Sequence, residues 1–254
     1  MVEISAKIWG ENVENDIAEV LEERDPDQLL RVMQNEFEAK IGAAPFFRIT
    51  GTPFDLKVLA SPNDRALFQL LQNPPGREAG WNVEPLPPLR RNALGFENDR
   101  IDFHHLKFIR NGHLEFWTKI DQSFAWQQDE ASFKQHPRLY PYAVVEHPLS
   151  FCRLYKKLAE HLQIHSSVVF QMQYINIKGV VLLPYRPESI GFMHPLEPIK
   201  PAERNRLVFP KHYLPHSFDP DLATLELVEE LYAEFGYSRE HIPFFDATGH
   251  VSEL

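Results

Sequence analysis

The sequence predicts an α+β protein whose mainly antiparallel sheet is built around a β-hairpin and flanked by amphipathic helices. The first observation is Asn111-Gly112, which separates two stretches that alternate in polarity. Asn-Gly best tolerates the positive φ angles of a type I′ turn, so this pattern predicts the hairpin. The second observation is the alternation over residues 168–174, and the third is a strongly apolar helix that begins after Asp219.

The first 42 residues predict two short, acidic, amphipathic helices. They contain eleven acidic and four basic residues, a net charge of −7, whereas the whole chain carries −10. The first helix is predicted over residues 11–24. Asp25-Pro26 then predicts the cap and first position of the second helix, which Gly42 ends. We therefore predict an acidic helical arm over residues 1–42 and a single α+β domain over 43–254. The arm either packs on this domain or serves as a docking element.

The rest of the chain alternates predicted strands, helices and proline-rich connections. Strands are predicted at residues 46–50, 54–59, 142–146, 168–174, 179–183 and 207–209. Helices are predicted at residues 66–72, 148–162 and 219–235. Residues 73–91 contain five prolines and two glycines, which precludes regular structure there. This stretch is predicted to be an ordered surface connection, with a polyproline ligand as the alternative.

Composition restricts the classes of function. Cys152 is the single cysteine, so an intramolecular disulfide framework is excluded. No apolar run approaches the roughly 20 residues that cross a bilayer, and the N-terminus is acidic where a signal peptide is basic. These features predict a cytoplasmic protein that does not enter a membrane. The negative charge opposes contact with phosphates, so nucleic acid is expected only through a local patch or a partner protein.

The sequence predicts no metal site, no cofactor and no identifiable catalytic residue. Its twelve histidines lack the spacing of a zinc site, and the motifs of phosphate-binding loops and serine hydrolases are absent. One enzymatic alternative stays open. Histidines and carboxylates that converge only in the fold could form a metal-dependent hydrolase or nuclease acting on nucleic acid.

The hairpin supplies the most specific binding hypothesis. On its second arm, one set of alternate residues is mostly apolar: Leu114, Phe116, Thr118 and Ile120. The opposite set is His113, Glu115, Trp117 and Lys119. Either a second layer covers this opposite face, or the face is exposed and binds a ligand or partner. With the acidic arm and one further aromatic anchor, the candidate binding residues are Trp117, Glu115, His113, Trp81, Glu19, Glu22 and Glu23.

Residues 45–246 resemble the region that follows the AlbA-type (Schlafen-like) DNA-binding domain in some bacterial proteins. The stretches that carry the resemblance are residues 80–82, 110–116, 140–158 and 235–237. The family's N-terminal domain, the part tied to nucleic acid or nucleotide, has no counterpart in this chain, so no functional residue is transferred. The resemblance implies a sensing or docking module of a bacterial regulatory or defence protein, detached or truncated. Our leading hypothesis is a non-catalytic module that binds a partner protein or ligand, with the acidic helices as its docking element.

Overall fold

The structure is a computed structural model. It describes residues 24–57, 59–61, 63–75, 81–100, 103–124, 134–135, 137–183, 200–213 and 218–251. The predicted helix over residues 11–24 lies almost entirely outside this part of the chain, and so do Glu19, Glu22 and Glu23. The binding role predicted for these three residues therefore stays a prediction.

Seven strands form one antiparallel sheet, which confirms the predicted fold class. The strands of the described chain are β1 (Phe46–Pro53), β2 (Arg90–Arg91), β3 (Gly95–Glu97), β4 (His105–Ile109), β5 (Leu114–Lys119), β6 (Arg138–Leu139), β7 (Val168–Ile175), β8 (Val181–Leu182) and β9 (Arg206–Tyr213). The order in the large sheet is β2-β3-β4-β5-β1-β7-β9, and β6 pairs with β8 in a small parallel sheet.

The helices of the described chain are α1 (Pro26–Ile41), α2 (Arg65–Gln72), α3 (Ile120–Ser123), α4 (Pro141–His161) and α5 (Pro220–Glu234), followed by a 3-10 turn (Arg239–His241). Helices α1 and α5 begin at their predicted caps, whereas α4 begins seven residues before its predicted start. The Asp25 carboxylate accepts a hydrogen bond from the Asp27 backbone N–H. The Asp219 carboxylate accepts two, from the backbone of Asp221 and Leu222. Each cap satisfies donors that the first turn of a helix leaves without partners.

The predicted hairpin is confirmed, but its turn is of another type. Gly112 has a φ of 94°, whereas Asn111 is not among the described residues with positive φ. The Gly112 N–H donates to the Ile109 carbonyl oxygen at 2.9 Å. The Ile109 N–H donates to the His113 carbonyl oxygen at 2.8 Å. This is a three-residue loop, which needs one positive φ where a type I′ turn needs two.

Two predicted strands are wrong. Residues 142–146 belong to α4, which begins at Pro141 and continues through Pro148. Fifteen of its 21 residues are buried, so the β-branched and apolar residues pack on all sides of a core helix. Of residues 54–59, those described are irregular. Their end lies at the hairpin turn, where the backbone of Leu59 and Ala60 donates to the Arg110 carbonyl oxygen.

The two faces of the sheet are covered by different helices. The first face carries Phe47, Ile49 and Phe116 and packs in the main core with α4 and α5. The second face is covered by α1, whose buried residues are Leu29, Leu30, Met33, Phe37 and Ile41. Residues 26–41 thus pack on the sheet, the first of the two alternatives for the acidic arm. The domain boundary at residue 42 stays a prediction.

After α5 the chain returns to the body of the protein. Ile242 and Phe244 are buried in the main core. Among the described helices, none combines the length and apolar character needed to cross a membrane.

Candidate functional site

The second face of the sheet is polar, although it is buried. It presents charged and polar side chains that are at most 3 % exposed: Arg48, Thr50, Thr52, His105, Lys107, Glu115 and Gln173. Burial of such groups is costly unless they are paired and hydrogen-bonded. The residues of α1 and of the neighbouring strands supply most of those partners.

Helix α1 reaches this face through two apolar contacts. Near its end, Phe37 and Ile41 pack with Phe46, Trp117 and Ile175, and the Phe37 and Trp117 ring centroids are 5.1 Å apart. At its start, Leu29 and Met33 pack with Leu56 and Ile109. The side chains of the charged and polar residues listed above lie on this same face.

The outer face of the hairpin is therefore covered. Trp117 and Glu115 are 1 % exposed and His113 is 0 % exposed. The alternative in which these three side chains form an exposed binding surface is wrong, because α1 supplies the second layer. In this arrangement of the chain, none of them can contact a partner.

Arg48 and Glu115 form the central ion pair of the buried face. The Arg48 Nη2 and Nε atoms lie 2.8 Å and 3.1 Å from the two Glu115 carboxylate oxygens, and Nη1 donates to the Gln34 Oε1 atom of α1. Burial raises the pKa of Glu115, but the Arg48 charge and the contacts with His113 outweigh it and hold that pKa well below its ordinary value. Glu115 is thus a permanent carboxylate with a two-pronged partner.

Thr52, His113 and Glu115 form a row that resembles a nucleophile, base and carboxylate. Thr52 Oγ1 lies 2.8 Å from His113 Nδ1, and His113 Nε2 lies 3.3 Å from Glu115 Oε2. Burial lowers the pKa of His113 despite the favourable contact with Glu115. Thr52 is 0 % exposed like His113, so no substrate reaches the hydroxyl. The row therefore belongs to the enclosed polar face of the sheet.

A second chain of charges leads from the buried face to the surface. Glu36 of α1 binds Lys107 and Lys40, each at 2.6 Å. Lys40 Nζ lies 3.7 Å from the Glu97 carboxylate, which in turn lies 3.2 Å from His105 Nε2. Burial raises the pKa of Glu36 and Glu97, but their cationic and histidine neighbours lower both below the ordinary value.

This series of ion pairs ends at a cleft of about 480 Å³ beside the end of α1. We name it the charged cleft. It is lined by Lys40, Arg90, Arg91, Asn92, Glu97, Asn98, Asp99 and His105. Arg90 and Asp99 form an ion pair at the rim, with side chains 73 % and 58 % exposed. The Arg91 guanidinium lies over the Phe68 ring at 5.4 Å, on the other face of β2.

A second cleft, of about 610 Å³, adjoins the first and is more apolar. We name it the apolar cleft; it is lined by Leu86, Pro87, Asp99, Arg100 and Phe103. Leu86 is 39 % exposed, one of the large apolar side chains that the described surface presents to solvent. Asp99 lines both clefts, so the two adjoin at this residue.

Trp81 lies away from the other sequence-predicted residues. It packs at the edge of the main core against Tyr140, with ring centroids 5.3 Å apart, and its backbone N–H donates to Glu146 Oε2. Trp117 is on the opposite face of the sheet. The structure brings His113, Glu115 and Trp117 together on one face and leaves Trp81 outside this group.

The residues of the charged cleft were missed by the sequence reasoning. A signal was present: Arg90-Arg91 follows the proline-rich stretch, and the acids Glu97 and Asp99 come shortly afterwards. Lys40 and His105 join them only through the packing of α1 and the order of the strands, which no local pattern shows.

Metal and thiol chemistry find little support in the described residues. Their histidine, cysteine and acidic side chains do not form a group of three that could hold a metal ion. Burial raises the pKa of the Cys152 thiol to about 12. A thiol with that pKa is almost entirely protonated near pH 7, and the protonated form is a poor nucleophile.

Comparisons with models of known families, with curated proteins and with solved structures identify no match for this chain. The resemblance to the region after the AlbA-type domain therefore stays a prediction. Function is argued below from the residues of the site.

Proposed function

We propose that this protein is a non-catalytic binding module that docks a ligand, or a group of a partner protein, in the charged cleft. The observation that carries the proposal is the cleft itself. Charged side chains from α1, β2 and β3 surround its bottom, which the buried His105 forms. A volume of about 480 Å³ falls in the range of small-molecule sites.

The base of the charged cleft is rigid, which favours binding. The His105 ring stacks on the Trp117 ring with centroids 3.9 Å apart, and Lys40 lies over the same indole at 5.6 Å. Glu97 is held by both Lys40 and His105. Because these side chains are already ordered, the protein loses little conformational entropy when a ligand binds.

The rim of the charged cleft, in contrast, is adaptable. Arg90 and Asp99 are both more than half exposed, and such pairs contribute roughly 0–1 kcal/mol because water screens them. A ligand can therefore replace either partner at little cost. The charged cleft thus combines an ordered bottom with a rim ion pair that a ligand can replace, as a binding site requires.

Two of the groups that could act as nucleophiles are inaccessible, which supports a non-catalytic role. The Thr52–His113–Glu115 row is enclosed, and Cys152 is buried and protonated. As part of the proposal, the module works in the bacterial cytoplasm within a regulatory or defence protein. That context rests on composition and on the resemblance.

The proposal is tested by titrating the ¹⁵N-labelled protein with small anionic, cationic and zwitterionic compounds. We expect amide shifts to concentrate at residues 90–99 and 105, and Arg90→Ala to remove them. Arg204→Ala is the matched control, because Arg204 is 72 % exposed and also pairs with one carboxylate, that of Glu234. Equal binding by the Arg90 variant, or shifts confined to other surfaces, would contradict the proposal.

The alternative, a metal-dependent hydrolase or nuclease, has no metal site to argue from in the described residues. It is separated from the binding module by incubating the protein with labelled DNA or RNA and Mg²⁺, Mn²⁺ or Zn²⁺. Cleavage that chelation abolishes would favour the enzyme.

A further inference from the structure

We propose that the charged and apolar clefts together bind an aromatic phosphate monoester, with the phosphate at Arg90 and the ring in the apolar cleft. This inference rests on the proposed function and specifies the ligand class for the same site. Asp99 lines both clefts, so a single molecule can occupy them side by side.

Arg90 and Asp99 are the charged groups of this lining that a ligand can engage. Lys40 and Glu97 already pair with each other, and the Arg91 guanidinium lies on the other face of β2. A ligand with two negative charges attracts Arg90 more strongly than the single charge of Asp99 does. The lining therefore accepts a dianion at Arg90.

Arg90 is the residue that recognises the phosphate. Its guanidinium is 73 % exposed, and within the described part of the chain it forms an ion pair with the exposed Asp99 carboxylate. A phosphate monoester carries close to two negative charges at neutral pH and accepts two parallel hydrogen bonds from arginine. It therefore displaces Asp99, whose carboxylate moves into water, where its hydration is restored.

The apolar cleft fits the ring of the same ligand. Leu86 is 39 % exposed, and the Arg100 guanidinium lies 5.5 Å from the centre of the Phe103 ring. A flat aromatic group can cover Leu86 and pack beside Phe103, which removes apolar surface from water. Phosphate recognition and ring burial thus act on one ligand.

The test measures binding of phenyl phosphate, inorganic phosphate and phenol by calorimetry or amide shifts. We expect phenyl phosphate to bind about tenfold more tightly than either fragment, since it gains both contacts. Arg90→Ala should weaken phenyl phosphate and inorganic phosphate about tenfold. Leu86→Ser should weaken phenyl phosphate alone. Asp99→Asn should tighten both phosphates about threefold, because it removes the competing carboxylate.

Matched controls separate local from general effects. Arg204→Ala removes an equally exposed arginine of an ion pair, and Val208→Ser removes an apolar side chain that is 40 % exposed. Both should bind phenyl phosphate as the unaltered protein does. A short peptide with phosphotyrosine forms a second arm. Tighter binding of the peptide assigns the chemistry to a modified protein, and equal binding assigns it to a free small molecule.

Two results overturn this inference. The first is no saturable signal up to about 10 mM phenyl phosphate; the second is binding that both Arg90→Ala and Leu86→Ser leave unchanged. Phenethylammonium distinguishes the two proposals. If it binds through Asp99 while phenyl phosphate does not, the ligand class is wrong and the binding module stands. If neither compound nor any of the charged panel shifts residues 90–99, both proposals fail.

Discussion

Arg48 and Glu115 show how a full charge is accommodated inside this sheet. Each is almost completely buried, and the two oxygens of Glu115 both lie within hydrogen-bonding distance of the guanidinium. Desolvation of two ions is repaid only by such a close, two-pronged contact with further hydrogen bonds around it. Gln34 and His113 supply those further bonds.

Loss of one partner should cost far more than loss of both. We expect Arg48→Met to lower the free energy of unfolding by about 3–5 kcal/mol, because Glu115 is left buried without its cation. Arg48→Met combined with Glu115→Leu should recover part of this loss. Urea unfolding of the three proteins measures the difference.

Arg206→Met is the control, since Arg206 and Glu38 form a pair with both side chains 44 % exposed. It should change the free energy of unfolding by about 0.5 kcal/mol or less. Similar losses for the Arg206 and Arg48 variants would show that burial does not govern this ion pair.

Trp117 illustrates a residue whose role depends on what covers it. It is 1 % exposed and contacts Phe37, His105 and the Lys40 ammonium. Trp117→Ala should therefore lower the free energy of unfolding by about 3–5 kcal/mol, as expected for a large side chain removed from a core. Denaturant unfolding followed by circular dichroism measures this loss.

The comparison is Phe54→Ala, because Phe54 is 44 % exposed. We expect a clearly smaller loss of stability for this variant than for Trp117→Ala. An unchanged stability of the Trp117 variant would mean that α1 does not cover the hairpin in solution.

At the level of elements, the helix caps connect sequence to structure most directly. The Asp219 carboxylate accepts two backbone hydrogen bonds at the start of α5, at 2.8 Å and 3.2 Å, whereas Asp25 accepts one at the start of α1. A helix N-terminus has four N–H groups without intrahelical partners, and its positive end favours a carboxylate.

Asp219→Ala should lower the free energy of unfolding by about 1 kcal/mol. Asp25→Ala should lower it by less, because it removes one of these bonds rather than two. Thermal unfolding of the two variants gives the order. Asp55→Ala, at an aspartate 58 % exposed and outside any helix, should leave stability nearly unchanged. The reverse order of the two cap variants would contradict the assignment.

Helix α1 covers the second face of the sheet and contributes to the charged cleft. Its apolar residues attach it to the second face at both ends, while Glu36 and Lys40 carry the ionic chain out to the charged cleft. The helix therefore has two functions in one segment. It shields the buried charges and supplies a wall of the cleft.

For the whole molecule, buried histidines make stability depend on pH. Burial lowers the pKa of His104 to about 4 and lowers that of His147 well below 6.5. The unfolded chain takes up these protons at higher pH than the folded protein does. The stability that these two neutral histidines contribute is therefore fully present above pH 6.5 and decreases as the pH falls from 6.5 towards 4, because proton uptake favours the unfolded chain.

The difference between 6.5 and about 4 for His104 corresponds to about 3 kcal/mol lost at the acidic end. Urea unfolding at several pH values tests this dependence. His104→Asn, which tolerates the φ of 47° at this position and carries no titratable group, should flatten the slope. His165→Asn, at an exposed histidine, should leave it unaltered. An equal slope for the His104 variant would contradict the assignment.

Much of the fold could be predicted from local pattern. The hairpin around Asn111-Gly112, the strand at residues 168–174 and the caps Asp25 and Asp219 all follow from chemistry within a few residues. Predictions failed where distant packing decided the outcome. Residues 142–146 have strand-like composition, but they form part of a helix that is buried on most sides, and the segment after Phe54 lies against the hairpin turn.

The site could hardly be predicted. His113, Glu115 and Trp117 were correctly placed on one face of a strand, because side chains alternate along it. Whether that face is open depends on α1, which lies some eighty residues earlier in the chain. Arg90 and Asp99 are close in sequence, but Lys40 and His105 join them only through tertiary packing, so no local pattern predicts the charged cleft as a whole.

By itself the sequence determined the fold class, the helix caps, the hairpin and the faces of its strands, since short-range hydrogen bonding and periodicity set these. Tertiary structure decided that the polar face of the hairpin is buried and that the charged groups at its end form a cleft. The physical reason is desolvation. A charged side chain is acceptable inside or outside a protein depending on the partners that packing brings to it, and those partners are distant in the chain.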